Sequence, residues 1–216
     1  MKTKSTTIAG AMLLLSAQFS LASSATWLSS PQDSVWETAD NWTPGGPPNG
    51  ASDSATFAQS SQTNVGISTS VEVNSIVFTS ASNSFTLKVP PDGASGGELT
   101  VSGTGVINNN SVRQSFICAN GGQIIFNNAS TAGSAHMFIV NAGTFGRGHT
   151  IFNDMSSAAR ASIRNEAQDN FGDSPGGETI FNGTSTADHT SINNAGSIGR
   201  GHTIFNDMSS AAGASL

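Results

Sequence analysis

The chain has 216 residues, which is enough for one sizeable domain, and its formal net charge at pH 7 is −6. Only 10% of the residues are charged, and this low, acidic balance disfavours nucleic acid and anionic membranes as partners, since both select basic patches. The single cysteine, Cys118, excludes an intrachain disulfide and lies in an apolar run, which indicates a buried small hydrophobe.

The first predicted element is a secretory signal peptide over residues 1–25. Two N-terminal lysines precede the apolar run Ile8–Ala22, and small residues follow it, which is the order typical of such a peptide. The run of about 15 residues is shorter than the roughly 20 that a helix needs to span a bilayer. We expect cleavage between Ala22 and Thr26, export to the periplasm, cell surface or medium, and no membrane-spanning helix in the mature chain.

Residues 26–58 are predicted to form an irregular N-terminal cap. The segment contains Trp27, Trp36, Trp42 and the turn Pro44–Pro48. A repetitive β structure needs such a cap, because an open end exposes unpaired backbone groups and core side chains.

Residues 59–120 are predicted to be the first, irregular coils of the same β structure. Apolar and polar residues partly alternate in Val71–Phe78, Phe85–Val89 and Leu99–Ser102. Clusters of Asn, Gly, Pro and Ser separate these runs, which is typical of strands joined by turns. Helix is disfavoured, because Lys, Glu and Leu are scarce.

Residues 121–216 contain an internal repeat of 24 to 29 residues. The segment Gly146–Ala159 recurs identically as Gly199–Ala212, and looser copies occupy Gly121–Ala132 and Gly176–Ala187. A second strand-like element follows each of the first three copies, in the segments Ile139–Asn141, Ile163–Asn165 and Ile192–Asn194. Each repeat unit is therefore predicted to form one winding of two or three short strands. The repeat lacks both a leucine framework and an apolar period of 3.6, so leucine-rich and helical repeats do not fit.

The repeat predicts an all-β fold, a right-handed parallel β-helix (β-solenoid), in which equivalent residues stack about 4.8 Å apart. Two structural ladders are expected. The inward one consists of Phe126, Phe152, Phe181 and Phe205. The second, at the strand ends, consists of Asn127, Asn153, Asn182 and Asn206. The slot formed by Ile124, Thr150, Thr179 and Thr203 shares the Phe face, whereas the slot of Gln123, His149, Glu178 and His202 points outward.

We expect no catalytic, cofactor-binding or metal-binding residues. The outward His/Glu slot offers one ligand per winding, whereas structural zinc needs four, so a solvated strand face is the preferred interpretation. Asp154 and Asp207 are spaced well enough for a glycosidase pair, but they lie in near-identical sequence. A catalytic pair needs two different environments.

The pattern resembles the autotransporter-associated β-strand repeat proteins of Gram-negative and related bacteria. The residues that carry the resemblance include Thr26-Trp27, Asn41-Trp42, Asp53-Ser-Ala-Thr-Phe57, Ser75–Phe78 and the Gly-x-Thr-x-Phe repeats. The resemblance implies a passenger-type β-helix that is displayed at, or released from, the cell surface. Such proteins carry a C-terminal membrane domain, for which these residues leave no room. We therefore expect a truncated passenger or a short member whose anchor lies elsewhere.

The predicted function is that of an exported structural or adhesin-like β-solenoid without catalysis. Its partners would be glycans, matrix or other cell-surface proteins, bound through many weak repeated contacts. One alternative is a secreted carbohydrate-active β-helix enzyme, since fold does not determine function. A truncated passenger fragment with no independent function is the other.

Overall fold

The structure is a computed structural model that describes residues 24–143, 146–167, 176–196 and 200–216. Within these residues the regular structure is β-strand apart from one short 3-10 turn, Ala39–Asn41, which confirms the all-β class. Most of the predicted signal peptide lies outside the described residues. No helix in the described part of the chain combines the length and apolar character needed to cross a membrane.

The described strands, numbered in chain order, form two sheets in which all pairs are parallel except β1 with β2. They are β1 (Ala25–Trp27), β2 (Trp42–Thr43), β3 (Gly50–Phe57), β4 (Asn64–Gly66), β5 (Ser70–Phe78), β6 (Thr86–Val89), β7 (Glu98–Asn108), β8 (Gln114–Cys118), β9 (Gln123–Phe126), β10 (Met137–Gly143), β11 (His149–Phe152), β12 (Ser162–Ala167), β13 (Glu178–Phe181), β14 (Ser191–Ala195) and β15 (His202–Phe205). The nine-stranded sheet A has the order β15-β13-β11-β9-β7-β5-β3-β1-β2, and the six-stranded sheet B has the order β14-β12-β10-β8-β6-β4. From β3 onward, successive strands lie in different sheets and each pairs with strands two elements away, so the chain winds as a β-solenoid, as predicted.

The regular windings have a third side, formed by isolated parallel bridges. These bridges link Gly105, Thr131, Ser157, Thr186 and Ser210 in turn. We call the windings that contain β9, β11, β13 and β15 rungs 1, 2, 3 and 4. Each described rung therefore runs from sheet A through the bridge line to sheet B, or to the last bridge at Ser215 in rung 4.

An inward column of phenylalanines fills the core of the four rungs. Adjacent ring centroids along Phe126, Phe152, Phe181 and Phe205 are 4.9, 4.8 and 4.9 Å apart, with interplanar angles of 7°, 8° and 7°. The first three rings are fully buried. Burial of each such ring contributes roughly 2 to 3 kcal/mol, so this column is a major source of stability in the repeat.

Aromatic residues close the solenoid at its first winding. Trp27, Trp36 and Trp42 are buried around Phe57, and the Trp42 ring centroid lies 5.1 Å from that of Trp27 and 4.7 Å from that of Trp36. The Trp42 indole N–H donates to the Trp36 carbonyl at 2.7 Å. Strand β2 pairs antiparallel with β1, so the parallel sheet ends on a strand of opposite direction. This arrangement covers core side chains that a bare end would expose.

A column of glycines precedes the sheet A strands of the four rungs. An added Cβ would lie 1.9 to 2.2 Å from a carbonyl oxygen of the preceding winding at Gly122, Gly148, Gly177 and Gly201. Real Cβ atoms do not approach an oxygen so closely. The glycine of the Gly-x-Thr-x-Phe repeat is therefore required by the close approach of two backbones.

Replacing Gly148 by Ala is expected to lower the free energy of unfolding by about 2 kcal/mol, because the new Cβ would meet the Cys118 carbonyl oxygen at 2.0 Å. Urea unfolding followed by circular dichroism measures the change. The matched control is Gly146→Ala in the same corner, where the nearest atom is 3.1 Å away. Equal losses for the two variants would contradict this explanation of the glycine column.

Candidate functional site

The asparagines at the ends of the sheet A strands form a continuous ladder of side-chain hydrogen bonds. The amide of Asn153 donates to Asn127 at 2.9 Å, that of Asn182 to Asn153 at 2.9 Å, and that of Asn206 to Asn182 at 2.8 Å. The structure thus brings all four ladder residues together. The amides of Asn153 and Asn182 each serve both as donor and as acceptor, so one ladder links all four rungs.

The residue after each ladder asparagine is in the left-handed backbone region. The φ angles are 57°, 56°, 66° and 55° at Asn128, Asp154, Gly183 and Asp207. Asn, Asp and Gly are the residue types that enter this region most readily, and this explains the restricted choice at the position.

The two aspartates at this turn have structural partners. The Asp154 carboxylate accepts the backbone N–H of Asn128 at 2.9 Å, and the Asp207 carboxylate accepts that of Gly183 at 3.0 Å. The two carboxylates that the sequence suggested as a possible catalytic pair therefore have the same task in rungs 2 and 4. Each one satisfies a backbone donor of the rung before it.

A second asparagine ladder, which sequence reasoning missed, lies inside the solenoid on sheet B. Asn141 and Asn165 are fully buried, and the Asn141 amide donates to Asn165 at 2.8 Å. The Asn165 amide donates in turn to Asn194 at 2.8 Å and to the His202 carbonyl at 2.9 Å. The pattern carried a signal: each asparagine follows an inward isoleucine by two residues, a spacing that places both side chains on one face of a strand.

Threonines of sheet A, buried at Thr150 and Thr179, complete this inner ladder. The hydroxyls of Thr150, Thr179 and Thr203 donate to the side-chain oxygens of Asn141, Asn165 and Asn194 at 2.7, 2.8 and 3.0 Å. Each threonine belongs to the rung after that of its asparagine, so the network links sheet B to sheet A as well as each rung to the next. Since the buried polar groups bond to one another, their desolvation is offset.

The corner that leads into rung 1 has an apolar pair in place of this polar one. Cys118 stacks below Asn141 and Ile124 stacks below Thr150, and both side chains are fully buried. Burial raises the pKa of the Cys118 thiol to about 12, so the thiol stays protonated and unreactive near neutral pH. Where the asparagine of the inner ladder is replaced by an apolar residue, its threonine partner is replaced as well.

The outward column of Gln123, His149, Glu178 and His202 is in register across rungs 1 to 4. Glu178 is nevertheless only 9% exposed, so the expected solvated face does not describe this residue. The Arg147 guanidinium forms an ion pair with one Glu178 oxygen, and His149 Nδ1 lies 3.4 Å from the other. This cluster joins rung 2 to rung 3 by charge.

Partial burial lowers the pKa of His149, and the Arg147 charge acts in the same direction while Glu178 opposes it. His149 is thus kept neutral at neutral pH beside the pair formed by Arg147 and Glu178. Across the described residues, no group of three or more His, Cys, Asp or Glu side chains is placed to hold a metal ion.

Comparison of the chain with protein families, with curated proteins and with solved structures finds no match.

Substituting Asn165 by Ala is expected to lower the free energy of unfolding by about 3 kcal/mol, because buried partners on both neighbouring rungs would lose their hydrogen bonds. Asn206→Ala in the outer ladder is the control. Asn206 is exposed and bonds to one rung only, so we expect a loss of about 1 kcal/mol or less. Urea unfolding of both variants provides the comparison, and a larger loss for Asn206→Ala would refute the importance of the inner network.

Proposed function

We propose that this protein is an exported structural or adhesin-like β-solenoid of the autotransporter-associated repeat type, and that it acts by display without catalysis. The observation that carries the proposal is the stacking of equivalent side chains. Both asparagine ladders and the phenylalanine column run through successive rungs, so the repeated residues are used to join each rung to the next. Such a fold presents a regular outer surface on a stable scaffold.

The charged residues support a structural role. Asp154 and Asp207 hold backbone donors, and Glu178 is engaged by Arg147 and His149. These carboxylates already have partners that hold rungs together. A glycosidase would instead need two carboxyl groups in contrasting environments beside an open groove.

The outer surface repeats the same groups from rung to rung, which suits many weak contacts. Met155 and Met208 occupy equivalent turn positions and are 68% and 77% exposed. The isoleucines that alternate with the inward residues of sheet A are half-buried on the outer face at Ile125, Ile151, Ile180 and Ile204. A partner with its own repeating units, such as a glycan, a matrix protein or another cell-surface protein, would meet the same chemistry several times.

The position of Ala25 constrains the proposed processing. Ala25 is 3% exposed in β1 and pairs with Ala55 of the next winding. Cleavage after Ala25 would remove this buried residue from the first strand. We infer that the signal peptidase cuts between Ala22 and Ala25, which keeps β1 whole.

Expression of the full chain in a Gram-negative host is expected to yield an exported protein whose N-terminus is Ser23, Ser24 or Ala25. Cell fractionation and mass spectrometry of the N-terminal peptide measure both export and cleavage. Leu14→Arg, which places a charge in the apolar run, is the control and should retain the uncleaved chain in the cytoplasm. Uncleaved wild-type protein in the cytoplasm would contradict export, and an N-terminus at Thr26 would contradict the cleavage assignment.

Beads densely coated with the mature protein are expected to adhere to at least one immobilised glycan or matrix protein, whereas the same protein in solution should bind it far more weakly. Retention under flow measures the first and surface plasmon resonance the second. Beads coated with thermally unfolded protein serve as the control. Failure of the folded coating to adhere to any surface tested would count against the adhesin-like role.

A further inference from the structure

The four rungs are of two alternating chemical types. Rungs 2 and 4 carry the identical segment Gly-Arg-Gly-His-Thr-Ile-Phe-Asn-Asp-Met-Ser-Ser-Ala-Ala, and we call them even rungs. Rungs 1 and 3 carry Gly-Gly, then Gln or Glu, and later Ile-Phe-Asn followed by Asn or Gly, and we call them odd rungs. The alternation creates two different kinds of contact between neighbouring rungs.

An even rung holds the odd rung before it through its aspartate, as Asp154 and Asp207 do. An odd rung holds the even rung before it through a different set of contacts, seen where rung 3 covers rung 2. Glu178 is placed between Arg147 and His149. The Asn182 amide donates to Asn153, and the Phe181 ring stacks on Phe152.

The backbone follows the same pattern at this contact. The N–H groups of Glu178, Asn182 and Thr184 donate to carbonyls of rung 2 at 3.0, 2.8 and 2.8 Å. The covered edge of an even rung therefore presents carbonyl oxygens, a cationic corner, an asparagine oxygen and a phenylalanine ring.

The outer edge of β15 repeats that set of groups. Among the described residues no strand pairs with β15 beyond β13, and no acidic side chain is paired with Arg200 or His202. His202 and Arg200 are exposed, and Phe205 is partly buried where Phe152 is fully buried. The rung 2 edge has the same sequence and is covered by rung 3, so the chain itself shows what such an edge binds.

We propose that the outer edge of β15 is a specific docking surface for a strand of the odd type, with the pattern Gly-Gly-Glu-Thr-Ile-Phe-Asn. The incoming glutamate is placed between Arg200 and His202, its phenylalanine covers Phe205, and its asparagine donates to Asn206. Specificity comes from the carboxylate, because backbone pairing alone would accept any extended chain. Docking at this edge does not depend on display or adhesion.

A labelled peptide of residues 176–188 is expected to bind the 216-residue chain. Fluorescence anisotropy up to millimolar peptide measures the binding, because ordering a free strand costs affinity. The Glu178→Gln peptide should bind roughly tenfold more weakly, since it loses a charge-assisted contact. This comparison uses the unaltered chain, so it does not depend on the folding of a variant.

The reciprocal change is made in the protein. The Arg200→Glu chain should bind the native peptide roughly tenfold more weakly and should bind a Glu178→Arg peptide better than the native one. Arg160→Glu, which changes the net charge equally at an exposed residue of another corner, should leave binding unchanged. The proposal would be overturned if the peptide did not bind, or if every combination of native or variant peptide with native or variant chain had the same affinity.

Discussion

The structure depends on one constraint, which is that each side chain of a rung stacks on its own equivalent. Strands in register place equivalent positions one above another, so the same residue type can recur along a column only if it packs well against itself. Phenylalanine does so by ring stacking and asparagine by amide bonding. Glycine meets the constraint in another way at the corner, where the backbones of adjacent windings leave no space for a Cβ.

The inner ladder extends this constraint to polar groups in the core. A single buried asparagine would be costly, but a column with threonine partners satisfies its donors and acceptors along the stack. The corner that leads into rung 1 shows the other stable solution, with Cys118 and Ile124 in the same two slots. The two positions of a pair are therefore either both polar or both apolar. Since hydrogen-bonded columns have a fixed register, they also oppose the strand slippage that a purely apolar core would permit.

The class of fold was predictable because the Ile-Phe-Asn spacing recurs and the residues around it alternate. The side of the strand that each residue occupies followed from the same alternation. Other features required coordinates. The burial of Glu178 depends on an arginine that lies in the corner of the preceding rung, far away in sequence. The inner ladder depends on which strand of sheet B faces Thr150, and no periodicity within one segment reveals that pairing.

The alternation of rung types answers a problem that identical repeats create. If all rungs were alike, a shift by one rung would cost little, and misaligned stacks would compete with the native one. With two types of rung, such a shift would stack one even rung on another even rung. Arg147 and His149 would then face another arginine and histidine in place of Glu178, and Asp154 would face a second aspartate in place of Asn128. Like charges replace ion pairs and hydrogen bonds, so the wrong register is penalised at the positions that stabilise the right one.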